Sequence, residues 1–317
     1  LLTAHFLSDL HLCAAFCFTA SNLVIQLQIS MATSTTNFSI KEKQTTLLIR
    51  MLNLNKTPES KESLDEPWKI LIYDDYCRDI ISPLLRVGDL RKQGVTLHLP
   101  IHSDRQSVPD VPAVYFVNPN KENVQRICED CKQKLYDSYH LNFSSHIPRP
   151  LLEDLAASTI ESGAVNQISK IYDQYCNFVT LEDDLFTLHE RGSYITFNDP
   201  TLSDTQAEAN IEQAVESLFS VLVTLGVVPI IRCPRNGAAE AIATQLESKI
   251  SDHLSNMGNL FADSAQASFQ RPALIILDRN VDLPVMLHHT WTYQALVHDL
   301  LNMALNRVHV VISEADE

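Results

Sequence analysis

Glycine is scarce in this chain, and its distribution excludes several kinds of nucleotide-binding site. The 317 residues contain seven glycines, and none of them belongs to a glycine-rich run. A phosphate-cradling P-loop or a dinucleotide fingerprint needs several glycines at fixed short spacings. A Gly-x-Ser-x-Gly segment is also missing, which excludes the nucleophile elbow of the α/β-hydrolases.

Positive charge is also in short supply. Lysine and arginine total 24 against 39 aspartates and glutamates, which gives a net charge of -15. A surface with this excess of negative charge repels phosphate backbones and anionic lipid headgroups at long range. We therefore expect no nucleic-acid partner.

The cysteines do not form the framework of a secreted domain, because seven is an odd number and they are scattered. This usage indicates a reducing compartment, and the cytosol is expected. Cys128 and Cys131 form one Cys-x-x-Cys pair, which we interpret as two small side chains on a packed helix face. His288 and His289 are adjacent and point apart in regular structure, so we expect no metal site and no cofactor.

Long apolar runs are missing except near the N-terminus. Residues 1–30 are apolar and contain no lysine or arginine, but serine, asparagine and glutamine interrupt them. A signal peptide has a basic first region, and a membrane-spanning helix has about 20 apolar residues. We interpret this stretch as sequence upstream of the natural start at Met31, with a membrane anchor as the alternative.

The rest of the chain alternates between strand and helix patterns. This alternation predicts an α/β fold with two successive doubly wound, mostly parallel sheet units flanked by helices, followed by the start of a helical third domain. The predicted division is an N-terminal extension (1–66), disordered or not native before Met31, a first domain (67–180), the first portion of a second domain (181–286) and the start of a third (287–317).

Individual elements follow from apolar periodicity and from turn residues. The predicted strands are Trp68–Tyr73, Val95–Leu99, Ala113–Val117, Val227–Arg232 and Ala273–Leu277, the last buried on both faces. The predicted helices are Asp79–Gln93, Lys121–Tyr139, Leu151–Ser162, Thr205–Leu225 and Ala238–Met257, and Gln167–Leu181 is of mixed character.

A charged turn follows the last predicted strand. Asp278, Arg279 and Asp282 stand at its C-terminal end, where α/β proteins usually place ligands. Asp278 and Asp282 could hold Mg²⁺ against a phosphorylated substrate, so metal-assisted phosphoryl transfer is the alternative function. An arginine between two aspartates is more often an ion-pair network that fixes a turn, and we favour that interpretation. A helix that begins near Tyr293 is predicted to pack through an apolar stripe.

The same stretch carries a family resemblance. It resembles the signature of the Sec/Munc (SM) family of SNARE-binding regulators of vesicle fusion. The matching features, in the same order and spacing, are LDR, a second Asp, a His, TYQAL and DLL. Two earlier segments of this chain resemble the branch of the family that serves ER-to-Golgi traffic. They are DIISPLLRVGDLRKQGVTLHLPIHSDR and VPDVPAVYFVNP. The resemblance runs from about Ile40 to Val308. One departure is that Met286 holds the place of the family's proline, while Pro284 comes earlier.

The resemblance implies a binding scaffold and no enzyme. Such a protein regulates vesicle docking, fusion and exocytosis by binding syntaxin and SNARE complexes, and it is cytoplasmic and peripherally associated with ER and Golgi membranes through its SNAREs. The signature residues then support the junction between the second and third domains. They are Asp278, Arg279, Asp282, Tyr293 and Gln294.

The resemblance also implies a pocket on the outer face of the first domain for the N-terminal peptide of a Golgi syntaxin. The matching segment here is LLEDLAASTIESGAVNQISKIYDQYCNFV. We expect Ile160 at the centre of the pocket, with Ala157, Ala164, Ile171 and Cys176 around it.

The chain ends at Glu317, shortly after the helix that opens the third domain. Compared with the family, a C-terminally truncated protein is expected, without the helical hairpin that templates SNAREs. The later strands of the second sheet are expected to be absent as well. An unpaired edge or an uncovered apolar face prone to aggregation would result.

Overall fold

The computed structural model describes residues 39–55, 68–190, 192–256, 260–261, 271–289, 291–301 and 303–310, together with the backbone of residues 13–16 and 23–29. In these residues the strands are β1 (Cys13–Phe16), β2 (Leu23–Ile29), β3 (Lys69–Tyr73), β4 (Val95–Pro100), β5 (Ala113–Val117), β6 (Tyr139–Phe143), β7 (Ile168–Asp173), β8 (Val179–Thr180), β9 (Phe186–Thr187), β10 (Ile230–Arg232) and β11 (Ala273–Asp278). The helices are α1 (Ile40–Leu52), α2 (Asp75–Ile81), α3 (Val87–Lys92), α4 (Lys121–Gln133), α5 (Arg149–Glu161), α6 (Ser193–Asn198), α7 (Asp204–Leu225), α8 (Ala238–Asn256), α9 (Leu283–Leu287) and α10 (Tyr293–Leu301).

The first unit is a five-stranded parallel sheet with the order β4-β3-β5-β6-β7. Helices α4 and α5 cover one face of the sheet, and α1, α2 and α3 contribute to the core on the other face. Because both faces are covered, β5 is buried at every residue, as its apolar sequence predicts. The α/β prediction is confirmed.

The predicted helix Asp79–Gln93 is wrong, because two helices occupy this stretch. Helix α2 begins at Asp75 and is capped by Asp74, whose carboxylate accepts a hydrogen bond from the Cys77 amide at 2.8 Å. It ends at Ile81, just before Pro83, and α3 starts only at Val87. Proline lacks an amide hydrogen and disfavours helical backbone in the residue before it, which explains the break.

The predicted helix Lys121–Tyr139 is too long. Helix α4 ends at Gln133, where Lys134 adopts a left-handed conformation with φ 51°. The apolar residues that follow enter β6 and form the core of the sheet. Part of the mixed segment Gln167–Leu181 becomes the edge strand β7.

The second unit is built on α7 and α8, which pack on each other. Helix α8 also packs against β11, and the common core contains Phe219 and Leu246. Strands β10 and β11 are parallel, whereas β2 pairs antiparallel with β11 and β1 pairs antiparallel with β2. The sheet is therefore mixed rather than mostly parallel. Only Leu274 and Ile276 of β11 are buried, so the expectation of burial on both faces of this strand is wrong.

Helix α1 joins the two units, although its residues fall within the predicted N-terminal extension. Ile40 belongs to the core of the second unit, while Leu48 and Met51 belong to the core of the first. The side chain of Lys43 donates to the carbonyl of Leu225 at the end of α7, at 2.6 Å. Residues 39–55 are thus an integral part of the packed structure.

Helix α10 begins at Tyr293, as predicted, but it does not pack as predicted. It has no buried residue, and Tyr293 is 85% exposed. The described helices include none that is both long and apolar enough to cross a lipid bilayer.

Candidate functional site

Helix α5 and the edge strand β7 form the outer side of the first unit. Pro150 stands in the first turn of α5, where a missing amide hydrogen costs nothing. Leu155 and Thr159 point into the sheet and are buried, which turns the opposite side of the helix toward solvent. A short 3-10 helix, Val165–Gln167, connects α5 to β7.

Ile171 of β7 lies on the same face of the sheet as α5. It is paired with Leu141 of β6, which belongs to the core beneath α4 and α5. Partners in a parallel ladder point to the same face of a sheet. Since β7 is the edge strand, Ile171 is covered on one side only and stays partly open to solvent.

Three of the five predicted pocket residues are exposed on this side. Ile160 is 69% exposed, and Ala157, one turn earlier on α5, is exposed as well. The exposed Ile160 and Ala157 give this side of the first unit an apolar surface against which an apolar side chain can be desolvated. Sequence reasoning missed Val165, which is also exposed. We call Ala157, Ile160, Val165 and Ile171 the outer patch.

Cys176 does not belong to the outer patch. It is 1% exposed and packs in the core on the opposite face of the sheet, with residues of α1 and α2. Burial raises the pKa of its thiol well above the ordinary value. The prediction of Cys176 as a pocket residue is therefore wrong, because the chain crosses to the other face after β7.

Ala164 is also fully buried, in the core beneath α5. Its amide donates to the carbonyl of Thr159 at 3.0 Å, which closes the end of the helix. Ala164 can support the patch from below, but it cannot line an open pocket as the sequence analysis expects.

The topological switch point of the first sheet lies between the carboxyl ends of β3 and β5, where doubly wound proteins often bind ligands. Here Asp74 fills this position. Its carboxylate accepts from the Asn118 amide at 2.9 Å and from the Asn123 side chain at 2.7 Å. The Asn123 side chain is 3.1 Å from His102 Nε2. These polar groups satisfy one another, so the edge is held by internal hydrogen bonds.

Hydrogen bonds help to hold the acidic turn after β11. The Asp278 carboxylate accepts from the Asn280 amide at 2.9 Å, and Asn280 also bonds to Tyr194 and Asn198. Asp282 is exposed. Sequence reasoning missed Asn280, whose bonds to Tyr194 and Asn198 tie this turn to α6.

The other signature residues lie in α10. Gln294 donates to Glu182 at 3.1 Å, and this bond connects α10 to the segment between β8 and β9. Tyr293 points to solvent instead of into a core. In the described part of the chain, no three His, Cys, Asp or Glu residues are grouped in a way that could hold a metal ion.

Cys128 and Cys131 are both buried in the core under α4, as we predicted from their helical spacing. Burial raises the pKa of the Cys131 thiol to about 12. At neutral pH this thiol is protonated, and a thiol is neither a good nucleophile nor a good metal ligand.

Comparisons with known proteins show which family this chain is similar to. The sequence profile of the Sec1 family matches residues 69–317. The chain is 53% identical over 282 residues to Sec1 family domain-containing protein 1 of Mus musculus, covering 86% of this chain and 44% of that protein. It is 51% identical over 275 residues to the SEC1 family transport protein SLY1 of Arabidopsis thaliana, again covering 86% and 44%. The chain thus spans a little under half the length of these relatives.

Solved structures show the same fold. The crystal structure of Sly1p in complex with an N-terminal peptide of Sed5p is similar with a TM-score of 0.77 and 36% identity, over 86% of this chain and 47% of that one. The structure of the SM protein Vps45, at 23% identity, has a TM-score of 0.68 over 87% and 48%. Since the profile match spans most of the chain, including the five-stranded sheet, β10, β11 and the acidic turn, the chain belongs to the Sec1 family.

Proposed function

We propose that this chain is a syntaxin- and SNARE-binding regulator of vesicle docking and fusion in ER–Golgi transport, and that its first domain (67–180) binds the N-terminal peptide of a syntaxin. The observation that carries the proposal is the outer patch. Its central residue, Ile160, is a large apolar side chain that is mostly exposed. A structurally similar relative, Sly1p, has been crystallised with an N-terminal peptide of Sed5p.

The chemistry of the outer patch defines the peptide that fits it. One apolar or aromatic anchor can supply most of the affinity when it enters a depression and is desolvated there. The exposed side of α5 also carries Glu153, Asp154 and Glu161. A peptide with an apolar anchor flanked by basic residues complements this surface, and the charges set its register and association rate.

The proposal also covers the absence of catalysis, the localisation of the chain and the role of the turn after β11. The chain acts by binding and not by catalysis, and in support of this the Asp278 carboxylate already accepts a hydrogen bond within the turn. It is cytoplasmic and reaches ER and Golgi membranes through its SNARE partners. The turn after β11 joins the second domain (181–286) to the start of the third (287–317).

Calorimetric titration with a panel of syntaxin N-terminal peptides tests the proposal. We expect one Golgi syntaxin peptide to bind, and Ile160→Lys to weaken its binding at least tenfold. The matched control is Ile195→Lys, because Ile195 is 73% exposed but lies in α6, away from the patch. Binding of no peptide in the panel, or equal losses in both variants, would contradict the proposal.

A second assay addresses the enzyme alternative. Asp278→Ala should leave peptide affinity unchanged, because Asp278 lies in the second unit, whereas α5 and β7 belong to the first. Mg²⁺-dependent phosphatase activity that disappears in Asp278→Ala would show that the chain is an enzyme and would overturn the non-catalytic part of the proposal.

A further inference from the structure

The buried face of α1 is apolar at every position except one. Ile40 belongs to the core of the second unit, and Leu48 and Met51 belong to the core of the first. Gln44 lies one turn from Ile40 and one turn from Leu48, and it is fully buried. A glutamine therefore stands where the helix passes from one core to the other.

Gln44 bonds to the second unit. Its Nε2 atom donates to the carbonyl of Phe178 at 2.8 Å, and Phe178 packs in the core of the second unit. A buried amide costs free energy unless it is hydrogen-bonded, and Gln44 Oε1 has no partner in the described part of the chain. Stability alone would favour an apolar residue of similar volume at this position.

A single polar residue in an apolar seam can instead specify how two parts align. Contacts between apolar side chains are non-directional, whereas a hydrogen bond restricts both distance and angle. In coiled coils one buried asparagine fixes the register of two helices at a cost in stability. Gln44 is in a comparable situation, because it is the polar member of the seam between two cores.

Lys43 makes a second bond of this kind. Its Nζ atom donates to the carbonyl of Leu225 at 2.6 Å, and Leu225 is the last residue of α7. A cation at a helix C-terminus stabilises the carbonyls there. The amide of Ile40 also donates to the carbonyl of Asp183, at 2.9 Å, in the turn between β8 and β9. The N-terminal half of α1 is thus bonded to separate elements outside the first unit.

The C-terminal end of α1 is bonded to the first unit. Lys69 of β3 donates to the carbonyl of Leu52 at 2.8 Å. The Asn53 side chain donates to Gln93 Oε1 at 2.9 Å, just after α3. One helix therefore holds the second unit near its start and the first unit at its end.

We propose that α1 fixes the orientation of the two units relative to each other, and that Gln44 and Lys43 set this orientation through the carbonyls of Phe178 and Leu225. Units of one chain move relative to each other unless their interface restrains them. A fixed orientation keeps the surfaces of both units aligned for a partner that contacts both. This role goes beyond the proposed function and does not depend on peptide binding by the outer patch.

Residual dipolar couplings of the backbone amides test the proposal, measured by NMR on the full chain in a weakly aligning medium. In the unmodified chain the couplings of β5 and of α7 should fit one common alignment tensor. Gln44→Met removes the bond to Phe178 and keeps an apolar side chain of similar size. We expect the couplings of α7 then to require a separate tensor of smaller magnitude, because the units move independently.

The matched control is Lys69→Met. It removes a bond of the same length from a buried side chain to a backbone carbonyl, but within the first unit, so one common tensor should remain. Lys43→Met is a second variant at a partly exposed position, and it should separate the tensors as Gln44→Met does.

Hydrogen-exchange protection of β5 and α7 reports whether both units stay folded in each variant. If Gln44→Met loses the protection of α7, the result for Lys43→Met decides. One common tensor in every folded variant would overturn the proposal. Two tensors in the unmodified chain would overturn it as well. Separate tensors in Lys69→Met would also contradict it, because general loosening of α1 would then release the units.

Discussion

Arg105 and Asp130 form an ion pair inside the first unit, with 2.9 Å between Arg105 Nη2 and Asp130 Oδ2 and almost no exposure of either side chain. Asp130 also accepts a hydrogen bond from the Tyr115 hydroxyl at 2.8 Å. Arg105 donates to the carbonyl of Ile101 at 2.7 Å. The pair therefore fastens the segment after β4 to α4 and to the central strand β5.

Replacing one partner of this pair should be costly. Arg105→Met leaves the Asp130 carboxylate buried without its main counter-ion, and loss of one partner of a buried pair typically costs about 3–5 kcal/mol. Urea unfolding measures the change in the free energy of unfolding. The control is Arg149→Met, which breaks the exposed pair with Glu153 and should cost under about 1 kcal/mol. Equal decreases in the free energy of unfolding of the two variants would show that the buried pair contributes no more to stability than the exposed one.

We expect Lys69 to stabilise the C-terminal end of α1. Its side chain is almost fully buried and donates to the carbonyl of Leu52 at 2.8 Å. A cation at a helix C-terminus stabilises the exposed carbonyls there. Lys69→Met should lower the free energy of unfolding by about 1–3 kcal/mol, because a buried carbonyl loses its donor. The exposed Lys92→Met is the control, and an equal effect of both substitutions would contradict this role.

Glu190 should make stability depend on pH. Burial raises the pKa of its carboxyl to about 7, and its Oε1 atom has no hydrogen-bond partner in the described part of the chain. Between its unfolded and folded pKa values the folded state binds the extra proton, so the free energy of unfolding falls as pH rises from about 4.5 to 7. The effect approaches about 3 kcal/mol over this range.

Glu190→Gln removes that titration. We expect the variant to be more stable than the parent at pH 8 and to lose part of the pH dependence between pH 5 and 7, as measured by urea unfolding at each pH. The nearby contact between His189 Nε2 and Asp79 Oδ2, at 3.1 Å, is left unchanged by this substitution. An unchanged pH profile in Glu190→Gln would show that another group causes the dependence.

The sequence predicted the elements whose local pattern matches their final environment. Strand β5 is an unbroken apolar run, and α7 has a Ser203 cap and a terminal Gly226 that mark its ends. The break at Pro83 was missed because the apolar residues around it continue at a helical spacing. Strand β6 was merged into α4 because Tyr136 and Tyr139 extend the apolar pattern beyond the helix end at Gln133.

The site was only partly predictable because side-chain exposure depends on which face of the sheet the chain occupies. Ile160 and Ile171 share the outer side, as expected from the family resemblance. Cys176 lies only five residues beyond Ile171, yet it belongs to the opposite core. Two of the partners of Asp74 come from 44 and 49 residues away along the chain, and no local pattern indicates such long-range hydrogen bonds.

Ala157 and Cys176 should respond to substitution in opposite ways. Ala157 is exposed on α5, so Ala157→Lys should change the free energy of unfolding by less than about 0.5 kcal/mol. It should weaken binding of the syntaxin peptide about tenfold or more, which corresponds to at least about 1.4 kcal/mol.

Cys176→Ser places a hydroxyl in an apolar core and should lower the free energy of unfolding by about 1–3 kcal/mol. Peptide affinity of the folded variant should stay unchanged, as measured by calorimetry below the unfolding transition. Weaker binding by folded Cys176→Ser, with normal binding by Ala157→Lys, would place the peptide site on the other face of the sheet.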